Sequence, residues 1–105
     1  MKAVITGMGL VSSLGNSCQA ALDSLKAGRS GIGLHEEMVA AEVPYVLAGL
    51  LEGFYLTADR YDEWSWPEGT EISRVELRSL PPHGVYAHVA MQEALAQSGL
   101  SLIHI

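Results

Sequence analysis

The feature that most constrains this chain is its opening, in which a short apolar run is broken by glycines. Residues 3–5, Ala-Val-Ile, are continuously apolar without alternation, which is typical of a strand buried on both faces of a sheet. Gly7 and Gly9 then end the run and lead into a loop that extends to Gly15. The opening therefore predicts a buried strand followed by a loop.

A helix is predicted directly after this loop. Asn16 or Ser17 can accept a hydrogen bond from an unpaired first-turn amide, and the apolar side chains of residues 21–25 fall on one helical face. Lys26 complements the negative end of the helix dipole, and Gly28 can end the helix in a left-handed conformation. The order strand, loop, helix indicates an α/β protein.

The middle of the chain gives weaker signals. Residues 36–41 can form one short helical turn, and residues 43–50 are a plausible second strand, which Pro44 restricts to a strand start or an edge. Residues 52–82 hold most of the acidic side chains and show no sustained periodicity. We predict an irregular connection there.

A second helix is predicted near the end of the chain. Apolar residues recur at three- and four-residue steps between Val85 and Ser98, on good helix formers, and Gly99 follows as a helix end. No internal repeat or linker divides the sequence. We expect one small α/β unit.

Composition excludes several classes of function. Twelve acidic residues against six Lys and Arg give a net charge of -6, which argues against non-specific nucleic-acid binding. One cysteine cannot form an intrachain disulfide, so we expect a reducing, cytoplasmic setting, and no window is apolar enough for a membrane helix. Only 17% of the residues are charged, against about 25% in ordinary domains, which indicates buried surface that awaits more protein.

The glycines of residues 7–12 nearly form a dinucleotide-binding fingerprint. Ser12 stands where the third glycine belongs, and the predicted helix begins only near Asn16, so the turn is too long to bring a phosphate to the helix amides. A structural role for the glycines is the favoured interpretation. A small nucleotide-binding module remains the alternative.

Cys18 lies in the first turn of the predicted helix, where the helix dipole could lower the pKa of the thiol. A cysteine nucleophile also needs a base, and the sequence places no histidine near it. We therefore interpret Cys18 as an inert, small buried hydrophobe.

Other side chains that could carry chemistry lack the required spacing. The histidines show no i, i+4 pair for zinc, and the acidic cluster lacks the alternation of a calcium loop; these residues are His35, His83, His88, His104, Asp59, Asp62 and Glu63. Trp64 and Trp66 could anchor a ligand or cover a core. We expect no metal site and no cofactor.

Residues 2–32, KAVITGMGLVSSLGNSCQAALDSLKAGRSGI, resemble the opening of the β-ketoacyl-(acyl carrier protein) synthases. The resemblance rests on AVITGMG, LVSSLGN and LKAGRSGI, and it continues in order through residues 47–50 and residues 85–100. Residues 52–80 depart from the family pattern. The resemblance thus covers most of the chain as one collinear segment.

The resemblance implies a thiolase-like fold, of which this chain is the N-terminal piece with an incomplete sheet. The family condenses an acyl thioester with malonyl carrier protein in fatty-acid or polyketide biosynthesis, works as a homodimer and binds acyl carrier protein. Its catalytic cysteine, two histidines and lysine lie downstream of this segment. No catalytic, cofactor-binding or metal residue is therefore assigned here, and Cys18 is not the nucleophile; a non-catalytic homologue resembling a chain-length factor is the alternative.

We divide the chain into residues 1–99, the N-terminal part of a synthase N-terminal domain, and residues 100–105. The latter match the translation of a mosaic-end adaptor used in sequencing libraries, so we interpret them as an adaptor or read-through tail, with an apolar strand start as the alternative. A piece of this kind is expected to be inactive and to fold poorly alone.

Overall fold

The computed structural model describes residues 1–100, so the predicted tail lies outside the described residues except for Leu100. The chain forms an α/β arrangement of four α-helices, one two-stranded sheet and one 3₁₀ turn within that range. In chain order these are α1 (Cys18–Lys26), β1 (Ile32–Leu34), α2 (Glu36–Ala40), β2 (Leu47–Gly49), the 3₁₀ turn (Tyr61–Glu63), α3 (Arg74–Arg78) and α4 (Pro82–Ser98).

Helix α1 begins and ends where the sequence predicts. The Ser17 hydroxyl accepts a hydrogen bond from the Ala20 amide at 3.1 Å and so satisfies a first-turn donor. Gly28 follows the helix with φ of 68°, a left-handed conformation in which a side chain would be strained. Local capping thus determines both ends of this helix.

The apolar run at residues 3–5 forms no strand with any other described residue, so the prediction of a buried strand is wrong for this part of the chain. Val4 is 77% exposed and Ile5 is 83% exposed. A strand of this composition gains stability only from layers on both faces. The described residues do not supply those layers.

The sheet is a two-stranded antiparallel ribbon. Ile32 lies opposite Gly49 and Leu34 lies opposite Leu47, with α2 in the connection between the strands. Strand β1 was not predicted, and β2 occupies only residues 47–49 of the predicted strand at residues 43–50. Glu42 adopts a left-handed conformation, with φ of 56°, in the turn that follows α2.

The region predicted to be irregular contains ordered structure. Tyr55 and Ser65 exchange two backbone hydrogen bonds of 2.9 Å. Helix α3 begins with a capping box, in which the Ser73 hydroxyl accepts from the Glu76 amide and the Glu76 carboxylate accepts from the Ser73 amide. Residues 52–82 are therefore a folded segment, held by turns and caps rather than by long periodic elements.

The hydrophobic core lies between this segment and α4. Its buried centre is Leu56, Leu77 and Val85, and Val85 has no solvent exposure. Phe54 and Tyr86 meet edge to face with 5.0 Å between ring centroids, which adds a favourable aromatic contact. The remaining residues packed around the centre are Tyr61, Trp64, Trp66, Ile72 and Leu80.

Helix α4 confirms the predicted helix at residues 85–98 and extends it back by one turn. Pro82 occupies the first turn, where its missing amide is not needed, and Gly99 ends the helix with φ of 72°. Within residues 1–100, no helix is long and apolar enough to span a membrane. Helix α4 instead contacts Gly7 and Gly9 near the start of the chain and contributes Val85 to the hydrophobic core.

Candidate functional site

The glycine segment, residues 7–10, lies directly on the backbone of α4. A Cβ atom added at Gly7 would clash with the Ala94 carbonyl oxygen, and one added at Gly9 would clash with the Ala90 carbonyl oxygen. Neither position tolerates a side chain unless the helix or the segment moves. The structural interpretation of these glycines is therefore confirmed: they permit close approach of two backbones.

Two polar side chains of α4 hold this segment in place. The Glu93 carboxylate accepts hydrogen bonds from the Leu10 amide and the Cys18 amide, each at 2.9 Å, through its two different oxygens. One turn further along, the side-chain amide oxygen (Oε1) of Gln97 accepts a hydrogen bond from the Met8 backbone amide at 2.7 Å. We call Glu93 and Gln97 the amide clamp. Together they bind three backbone amides near the start of the chain, which are distant in sequence from α4.

The amide clamp removes the features that a dinucleotide site would need. A pyrophosphate binds free amides at a helix N-terminus. Here the Cys18 amide, at the start of α1, already binds the negatively charged Glu93, and the glycines face α4. The nucleotide-binding alternative therefore has no cradle in this segment.

Cys18 is partly exposed beside the clamp. Partial burial raises the pKa of its thiol above the ordinary value, and the charge of Glu93 and a hydrogen bond to it raise that pKa further. The suggestion that the helix dipole lowers this pKa is wrong, because burial, and after it the Glu93 carboxylate, raise the pKa instead. The thiol is held in its protonated, less reactive form.

The loop between the glycine segment and α1 is closed by a second set of hydrogen bonds. Ser12 and Gly15 exchange two backbone bonds, of 2.9 and 3.1 Å. The Leu14 carbonyl oxygen accepts from the Ser24 hydroxyl at 2.6 Å and from the Arg29 guanidinium at 2.9 Å. The loop and both ends of α1 therefore form one fixed unit.

An open polar cleft of about 330 Å³ lies next to this loop. Its lining comprises residues 12–17, Ala20, Arg29 and Glu52. The Asn16 side-chain amide crosses the cleft and donates to the Glu52 carbonyl oxygen at 2.6 Å. The lining offers hydroxyls and one guanidinium but no nucleophile paired with a base, so it lacks the arrangement needed for acyl transfer.

The other candidate residues are dispersed. His88 lies 3.9 Å from the Glu76 carboxylate, and Asp62 forms an exposed ion pair with Arg60 at 3.0 Å. No group of three or more metal-binding side chains occurs among the residues that the structure describes. His104 lies outside the described residues.

The two tryptophans cover the core, one of the two roles that the sequence allowed. The Trp64 indole N–H donates to the Ala58 carbonyl oxygen, and that of Trp66 donates to the Thr70 carbonyl oxygen, both at 2.8 Å. Both rings pack against the buried cluster around Leu77. Their polar atoms are thus satisfied within their own loops.

Comparison with known proteins shows which family this chain is related to. The chain is 33% identical over 100 residues to 3-oxoacyl-(acyl-carrier-protein) synthase 1 of Haemophilus influenzae, and 34% identical over 100 residues to synthase 1 of Escherichia coli. Each match covers 95% of this chain. The chain belongs to the 3-oxoacyl-(acyl-carrier-protein) synthase family. It spans only about a fifth, 21%, of the length of these relatives.

A plant member of the family matches a shorter part. The chloroplastic synthase I of Arabidopsis thaliana is 43% identical over 53 residues, which is 50% of this chain and 11% of that protein. No model of a known protein family matches the chain. The resemblance predicted from the sequence is thereby confirmed at the level of the family, over a segment of the synthase.

Sequence reasoning did not find the amide clamp. Glu93 and Gln97 are four residues apart on α4, on the side that also presents the Ala90 and Ala94 carbonyls to the glycine segment. The sequence signal that could have indicated the clamp was a pair of polar side chains one helical turn apart, next to small residues on the same face. Only the structure shows that their partners are backbone amides from the other end of the chain.

Proposed function

We propose that this chain is a segment of an enzyme that condenses an acyl thioester with malonyl-(acyl carrier protein), in fatty-acid or polyketide biosynthesis. The observation that carries the proposal is the match to two bacterial 3-oxoacyl-(acyl-carrier-protein) synthases over 95% of the chain. Acyl carrier protein and a second subunit are the proposed partners. The setting we propose is cytoplasmic.

The role we propose for the segment itself is structural. The close approach of Gly7 and Gly9 to α4, together with the amide clamp, supports a scaffold that positions neighbouring elements of the synthase. The chemistry of condensation would come from residues elsewhere in the enzyme. We assign no catalytic, cofactor-binding or metal-binding residue to this chain.

A replacement experiment tests the proposal. The matched 100 residues of the E. coli synthase 1 are exchanged for those of this chain, and the purified chimera is assayed for condensation with malonyl-(acyl carrier protein). We expect measurable condensation from a folded chimera. A Gly9→Ala version should lose activity and stability together, whereas Gly33→Ala, where no atom lies within 4 Å of the added Cβ, should retain both.

A folded chimera without activity would contradict the proposed scaffold role. Sequencing the source DNA on both sides of this coding segment is the second arm of the test. A cysteine, two histidines and a lysine in the family order would support a condensing enzyme. Loss of that cysteine in an otherwise intact reading frame would instead identify a non-catalytic homologue.

A further inference from the structure

We draw no further inference here: the strongest candidate, the open apolar groove of about 640 Å³ beside α1 that is lined mainly by Met8, Leu10, Cys18, Ala21, Leu22 and Leu25, carries none because nothing in the described residues shows what covers it.

Discussion

The two faces of α4 carry opposite kinds of contact. On one face, Val85 is fully buried with Leu56 and Leu77 in a core assembled largely from residues 52–82. On the other face, the glycine segment is held by backbone proximity and by the amide clamp, while its neighbouring apolar side chains stay exposed. The family-like residues at the start of the chain therefore bury little apolar surface within residues 1–100.

The two regions therefore differ in how much of their apolar surface is buried within residues 1–100 and how much is left exposed. Residues 52–80 depart from the family pattern, yet they supply most of the hydrophobic core within residues 1–100. The glycine segment and α1 bury only Ala21 and Ser24, and they keep a continuous apolar groove open. Residues that carry the family resemblance thus leave apolar surface uncovered within residues 1–100.

The largest expected effect is in the core. Leu77→Ala should reduce the free energy of unfolding by about 2–5 kcal/mol, because it removes buried methyl groups and leaves a cavity beside Val85. Urea denaturation followed by tryptophan fluorescence measures it, since Trp64 and Trp66 pack on the same cluster. Leu47→Ala, at a position 65% exposed, is the control, and an equal loss there would show that the two regions do not differ.

The next largest effect is expected at the glycine segment. Gly9→Ala should cost about 1–3 kcal/mol, because the new methyl group is forced against the Ala90 carbonyl. Gly33→Ala meets open space and should change the free energy of unfolding by less than about 0.5 kcal/mol. Similar melting temperatures for the two variants would argue against close packing of this segment on α4.

Substitution of the clamp should have a somewhat smaller effect. Glu93→Gln keeps the shape of the side chain but can accept at only one of its two terminal atoms, so it should cost about 1–2 kcal/mol. Amide hydrogen exchange should then accelerate at Leu10 or Cys18, and not at the core residue Val85. Uniform acceleration at all three amides would show that Glu93 supports the whole fold rather than the glycine segment.

The capping box of α3 should contribute about 1 kcal/mol. Ser73→Ala removes the hydroxyl that accepts from the Glu76 amide, a bond of 3.1 Å at an exposed helix start. Thermal unfolding followed by circular dichroism measures the change. Ser73→Thr retains a hydroxyl and should retain most of the stability, so equal losses in both variants would point to a cause other than the cap.

The smallest effect concerns the ionisation of Cys18. Its raised pKa predicts that reaction with maleimide reaches half of its maximal rate above pH 9.0, the ordinary value for a thiol. Because the pKa is higher in the folded chain, this group favours folding below pH 9.0, and the contribution is lost as the pH rises through the raised value. Glu93→Gln should lower the midpoint but not abolish the shift, since burial is its largest cause. A midpoint below 9.0 in the unsubstituted chain would contradict this.

The sequence predicted those elements whose ends are set by local chemistry. Ser17 and Gly28 enclose α1, and Gly99 ends α4, because capping and left-handed backbone are properties of a few adjacent residues. The predictions failed where an element's structure depends on contacts with residues distant in sequence. Residues 3–5 have the composition of a buried strand, but burial depends on neighbours that a local pattern does not contain.

The candidate site shows the same division. The glycines at positions 7 and 9 were correctly interpreted as structural from the missing third glycine, without knowledge of what they approach. Strand β1 and the core in residues 52–82 were missed, since short, turn-linked elements carry little periodic signal. The loop that looked irregular is ordered by indole hydrogen bonds and by long-range packing.

By itself, the sequence determined the family and the two longest helices of the described residues, because each of these follows from residue identity and local spacing. Only the tertiary structure decided that Gly7 and Gly9 lie on α4, that Glu93 joins Leu10 to Cys18, and that α1 keeps an open apolar groove. The physical reason is distance along the chain. Contacts between residues more than 70 positions apart depend on how complete elements pack, and no local pattern encodes them.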